Sequence, residues 1–322
     1  MATKLIARTD GTLPRGSHWA ELEERGGVRG MQALLTVYRL FGRRAFTLFL
    51  YPVAAYFWLT ALTARRASQD YLRAIRQRAR ELRVAAPPAN SFRHIVEFGH
   101  AILDKGATWG GVFPESDVEI GAAATFAQLK SRGCLFIGSH LGNLEVLRAF
   151  GELRDFKVNA LVFTRHSPKF NRVLSAVNPK AFDGLIEIDS LGPDTVIKLQ
   201  DRVRAGEHFA IVGDRVSVRH KERSIRAPFL GRPAPFPEGP FILASLLACP
   251  VYLLFCLKVG DKYRVLLEPF ADPLELPRVE RREALEHAVR RYAARLEAHC
   301  LMAPMQWFNF FDFWGQSDAG RH

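Results

Sequence analysis

Across 322 residues, 48% hydrophobic and 24% charged, the chain carries enough apolar mass to bury a core, which excludes a disordered protein. Its 45 lysines and arginines against 33 aspartates and glutamates leave a net charge of +12, a balance that favours anionic partners. The basic residues are spread along the chain and form no zinc-finger, RNA-recognition or homeodomain pattern, so anionic lipid or an acidic carrier protein is expected and nucleic acid is not.

Residues 1–40 are mixed and polar and show no signal-peptide pattern, so a cytoplasmic catalytic part is expected. Ala45 to Ala64 then forms an uncharged run containing Phe46, Phe49, Tyr51, Tyr56, Phe57 and Trp58. As a helix it would measure about 30 Å, roughly one hydrocarbon core. The basic residues before it, from Lys4 to Arg44, oppose translocation, and Pro52 would kink the helix. The spacing therefore predicts a segment lying in, or dipping into, the inner leaflet, with a buried core helix as the alternative.

Ala67 to Val84 has helical spacing and a heavily basic face, and Pro87-Pro88 ends it. This divides the chain into an N-terminal helical membrane-associated arm, residues 1–88, and a catalytic domain, residues 89–322. Within the domain, Ser91 to Trp109 and Gly121 to Arg132 read as helices. Short apolar runs at Cys134–Gly138, Asn159–Phe163, Leu185–Ile188, Phe209–Val212 and Val251–Val259 read as buried strands. Arg264–Leu267 is the hairpin partner of the last, across Gly260-Asp261. Helices are expected between them at about 143–153, 168–176, 193–205 and 239–247, and a long one from Arg278 to Leu301. The alternation predicts an α/β fold with a mostly parallel central sheet flanked by helices. Cys134, Cys249, Cys256 and Cys300 form no C-x-x-C pair and read as buried reduced thiols, so no metal site is expected.

Gly138-Ser139-His140-Leu141-Gly142-Asn143-Leu144-Glu145 is the stretch that points to chemistry. His140 falls just past the end of a buried strand, where open α/β sheets bind ligands. An imidazole there can take a proton from an alcohol, which is otherwise a poor nucleophile. Glu145, in the first turn of the following helix, is expected to hold the ring in the right tautomer, and backbone N–H groups at the helix start to bind an oxyanion.

These residues resemble the first motif, His-x-x-x-x-Asp/Glu, of the glycerolipid (lysophospholipid) acyltransferase superfamily, and the Gly-Asn within it resembles the lipid A biosynthesis (lauroyl/myristoyl) branch. Further segments agree in order: Phe163-Thr164-Arg165 with Asn171, then Gly213-Asp214-Arg215 after a strand, Pro228-Phe229-Leu230-Gly231, and Ala303-Pro304-Met305-Gln306-Trp307. The similarity spans about residues 90–314. Phe236-Pro237-Glu238-Gly239 spells a block of phosphate-acyltransferase relatives, but Pro240-Phe241 follow it, and Pro237-Glu238 reads as a helix start with Pro near N1. The segment from Ser17 to Gly26 and the aromatic tail from Trp307 to Trp314 look more like a branch associated with aryl-polyene-type lipid clusters. The tail aromatics fit an acyl groove, a membrane interface or core packing.

The resemblance implies O-acyl transfer from an acyl carrier protein or coenzyme A thioester to a hydroxyl of a lipid or glycolipid at the cytoplasmic face of the inner membrane. It implies His140 and Glu145 as the catalytic pair, substrate-binding roles for Asn143, Arg165, Asp214, Arg215 and Gly231, and no cofactor. Asp214 can pair with either arginine. The alternatives are a lysophospholipid or ornithine-lipid acyltransferase, and a non-catalytic membrane-bound lipid-binding protein.

Overall fold

The structure, a computed structural model, describes residues 47–85, 88–109, 115–121, 132–146, 158–162, 184–188, 192–216 and 222–315, with the single residues 36, 129 and 156. Arg165, Asn171 and the helix expected at 168–176 lie outside them, as does most of 121–132; of 143–153 only 143–146 is described.

The apolar run forms α1 (Thr47–Thr60), which meets α2 (Leu62–Glu81) at 94°. The break falls at Ala61, and the helix runs through Pro52. Among the described residues no single helix is long and apolar enough to cross a membrane; only this bent pair reaches the length and composition together. α1 turns Leu50 and Ala54 inward, against Ile95, Val96 and Leu103 of α3 (Ser91–Trp109). Its other side leaves Leu48, Phe49, Tyr51, Tyr56 and Leu59 exposed.

In α2 the buried Ser68, Tyr71, Leu72, Ile75 and Ala79 recur at helical spacing, with Arg73, Arg76 and Arg80 exposed. Although α2 precedes the expected boundary at Pro87-Pro88, Tyr71, Leu72, Ala74 and Ile75 belong to the principal core of the α/β part.

The strands of the main sheet are β1 (Val118–Ile120), β2 (Leu135–Gly138), β3 (Val158–Val162), β4 (Leu185–Glu187) and β5 (His208–Val212), with α4 (Pro193–Arg204) between the last two. After β5 come a separate two-stranded ribbon, β6 (Ser224–Phe229) and β7 (Arg232–Pro237), then α5 (Gly239–Leu247), β8 (Val251–Val259), β9 (Lys262–Ala271) and α6 (Arg281–Met302). The seven-stranded sheet has the order β1-β9-β8-β2-β5-β3-β4. Only the β8–β9 hairpin is antiparallel; every other pair in it is parallel. The expected α/β class with a mostly parallel sheet is what the chain adopts. β2 is buried at every residue because it has a strand on each side and cover on both faces.

The β6–β7 ribbon is not foreseen by the sequence reading, since Pro228, Pro233, Pro235 and Pro237 argue against strands. A two-stranded ribbon tolerates them because each strand has an outer edge that needs no N–H donor. Its turn, Leu230-Gly231, has positive φ at both residues (51° and 77°), the geometry that suits a two-residue hairpin. Pro237 ends β7 instead of starting a helix; Glu238 is the N-cap of α5 and Pro240 sits in its first turn.

Beyond α6 the chain returns across the sheet. Trp307, Phe311 and Phe313 are buried in the principal core, so packing explains these members of the aromatic tail.

Candidate functional site

β2 and β5 are parallel neighbours with Gly138 opposite Val212, and the Gly213 N–H continues the ladder to the Gly138 carbonyl at 2.9 Å. His140 and Asp214 each follow that register pair by two residues, so both side chains emerge at the carboxyl edge of the sheet. The His140 Nδ1 lies 2.7 Å from Asp214 Oδ1, and the His140 backbone N–H donates to Oδ2 at 2.9 Å. Trp307 Nε1 and Asn309 Nδ2 also donate to Oδ2, at 2.9 and 3.0 Å. Asp214 has no solvent exposure, and each of its oxygens is hydrogen-bonded.

With a carboxylate on Nδ1, the ring proton belongs there and Nε2 carries the lone pair. No hydrogen bond reaches Nε2 among the described residues, and the side chain is 27% exposed. Burial and the neighbouring Arg215 and Lys105 push His140 below the ordinary histidine value, against the pull of Asp214. Burial alone would raise the Asp214 carboxyl, but His140 and Arg215 hold it down, to about 2. The result is a neutral imidazole backed by a fixed anion, the arrangement of a general base.

The carboxylate on the ring is therefore Asp214 and not Glu145, which corrects the expectation from the motif. Residues 140–143 form a loop before the helical turn at 144–146, so the five-residue spacing does not bring the two side chains together. Glu145 instead faces Lys105 of α3, at 3.4 Å. The loop is clamped on both sides. Gly142 N–H donates to the Gln306 carbonyl at 2.8 Å, Asn143 N–H to the Cys256 carbonyl at 2.9 Å, and Phe308 N–H to the His140 carbonyl at 2.9 Å. These bonds engage the Gly142 and Asn143 N–H groups, so they do not supply the expected oxyanion site. Gly142 has φ +77°, and a Cβ there would fall 2.0 Å from the Cys256 carbonyl oxygen, which only glycine avoids.

The buried Asn143 side chain donates to the Ala101 carbonyl at 2.8 Å, tying the loop to α3. Arg215 Nε donates to Asn309 Oδ1 at 2.7 Å and its Nη2 to the Phe308 carbonyl at 3.0 Å. Burial lowers this guanidinium to about 10. Gly231 lies in the β6–β7 turn, where its added Cβ would meet Glu81 Oε2 at 3.3 Å, so the structure gives it a conformational role. The sequence reading paired Asp214 with Arg165 or Arg215, where the structure pairs it with His140, and it missed Lys105 and Asn309. The available signal was Asp214 following a strand at the same offset as His140.

Phe98 stands against Phe308 and Phe310 at 5.3 and 5.2 Å, and Phe310 packs on the cluster that includes α1. A cleft of about 680 Å³ opens beside Gln306, lined also by Thr47, Arg93, His100 and Lys258. His140 does not line it, so the geometry of the dyad, not the size of that cleft, locates the candidate chemistry. Among the described residues no three His, Cys, Asp or Glu side chains gather to hold a metal, and the four cysteines are free buried thiols. No protein-family model matches the chain, and no curated protein matches it.

Proposed function

We propose that the protein is an O-acyltransferase that moves a fatty acyl group from a carrier thioester to a hydroxyl of a lipid or glycolipid at the inner face of a membrane. One observation carries it: His140 Nδ1 rests 2.7 Å from a buried carboxylate while Nε2 stays open. The motif resemblance around His140 supplies the reaction class. Nε2 takes the proton of the acceptor hydroxyl as that oxygen attacks the thioester carbonyl. The tetrahedral intermediate collapses, the C–S bond breaks, and the imidazolium returns its proton to the departing thiolate. Asp214 stays ionised and stabilises the imidazolium between the two transfers.

The exposed apolar side of α1, followed by the exposed arginines of α2, fits an interfacial arm on anionic lipid. The donor is an acyl carrier protein or coenzyme A, both acidic and suited to the positive chain.

The test is mass spectrometry of total lipids from cells carrying the native chain or His140→Ala. Loss of one acyl ester in the variant is expected, and the lost species names acceptor and acyl chain together. A lost lysophospholipid- or ornithine-lipid-derived ester would reassign the acceptor. Identical lipid profiles, with other functions intact, would replace the enzyme by a lipid-binding protein.

A further inference from the structure

Asn309 stands between a cation and an anion. Its Oδ1 accepts from Arg215 Nε at 2.7 Å, and its Nδ2 donates to Asp214 Oδ2 at 3.0 Å. The amide fits only this way round, since a flip would set NH2 against the guanidinium and oxygen against the carboxylate. Arg215 follows Asp214 directly in sequence, yet among the described residues no ion pair joins them. The guanidinium is turned to Asn309 and to the Phe308 carbonyl, and it passes over the Phe311 ring at 5.7 Å.

We propose that Asn309 is a positioning residue that keeps the Arg215 guanidinium off the Asp214 carboxylate, so that Asp214 remains committed to the His140 imidazole. A direct Arg–Asp pair is a bidentate, charge-assisted contact that a nearby neutral imidazole does not outcompete. The amide satisfies both charges without neutralising either. Among the described residues, the other charged or titratable groups near the dyad include Lys105 of α3, which faces Glu145, and Tyr292 and Cys300 of α6, the Tyr292 hydroxyl being held by the Gly138 carbonyl. None of them bonds Asp214 in place of Asn309 among the described residues.

The inference rests on His140 as the base, but its test needs no substrate. The full-length, histidine-labelled chain is titrated by NMR, with the His140 signal identified by its loss in His140→Gln. Asn309→Ala should weaken proton binding at His140 about tenfold, because Asp214 swings to Arg215. A ring that no longer titrates while the protein stays folded counts as weakened. Arg215→Gln should strengthen proton binding much more in the Asn309→Ala background than in the native one, by about tenfold. Equal effects in both backgrounds, or no effect of Asn309→Ala, would overturn the proposal. Should the alanine variant fail to fold, Asn309→Ser, whose hydroxyl serves only one partner, replaces it with the same outcomes. Failure of acyl transfer with every acceptor tried would count against the proposed reaction and leave this cycle readable.

Discussion

Trp307 donates its indole N–H to the Asp214 carboxylate at 2.9 Å across 93 residues of sequence. The tryptophan is fully buried, with its ring 4.9 Å from Tyr71 and 5.2 Å from Phe229. It thus joins α2, the β6–β7 ribbon and the carboxyl edge of the sheet. Trp307→Phe keeps an aromatic ring there and removes one donor from a buried anion. Urea unfolding should show a loss of about 2 to 4 kcal/mol, from the charged hydrogen bond plus the vacated volume. A loss under about 0.5 kcal/mol, the range of an ordinary surface change, would mean that the bond is readily replaced.

The proposed reaction assigns different roles to the two carboxylates, Asp214 and Glu145. Asp214→Asn removes the anion behind His140 and admits the wrong tautomer, so kcat for acyl transfer should fall by about 10³- to 10⁴-fold. Glu145→Gln weakens the partly exposed pair with Lys105 and should cost less than about tenfold, the scale of a weak ion pair. Steady-state rates on the acceptor identified by lipid analysis decide it. Equal losses in the two variants would return the orienting role to Glu145.

His94 has an acid signature in stability. It is fully buried, shared between Ser68 Oγ and the Trp307 carbonyl, and burial lowers it from 6.5 to about 4 although the Trp307 bond opposes this. Below pH 6.5 the unfolded chain binds a proton that the folded chain refuses, so this contribution is complete above pH 6.5 and drains away as pH falls to about 4. The shift corresponds to about 3 kcal/mol. Urea unfolding across that range should show a steeper acid loss for the native chain than for His94→Gln. Parallel curves would refute it.

The proposed membrane docking is tested on α1. Leu48, Phe49, Tyr56 and Leu59 are 74, 54, 61 and 60% exposed and face away from the α3 cluster. Replacing all four by serine leaves the buried Leu50 and Ala54 in place, so the fold should persist. Flotation with vesicles rich in anionic phospholipid should carry the native chain and leave the variant behind. Co-flotation of both, or of neither, would remove α1 as the docking face.

Much of the architecture was legible because helices and strands are written in local periodicity. Ser91–Trp109 and Val251–Val259 fall where the pattern put them, and β2, β3, β4 and β5 differ from expectation by a residue at one end or both. The β6–β7 ribbon was hidden because its prolines mask strand character that only cross-strand pairing and the Leu230-Gly231 turn confer. In the site, His140 was legible from its place after an apolar strand. Glu145 was misassigned because the five-residue motif spacing was expected to bring it to His140, whereas the loop between them is held by Gln306 and Cys256 and Glu145 faces Lys105.

By itself the sequence determined most of the strands and helices of the described residues, without β1, β6 and β7, and that an imidazole stands at a strand end. Only the tertiary structure decided which carboxylate holds it. Asp214 lies 74 residues from His140 and meets it because β5 is laid beside β2 in the sheet order, a pairing no local pattern encodes. Strand adjacency is settled by how all the faces pack at once. A His–Asp pair built on two strand ends is therefore a property of the folded sheet, whereas each of its members is a property of its own short stretch of chain.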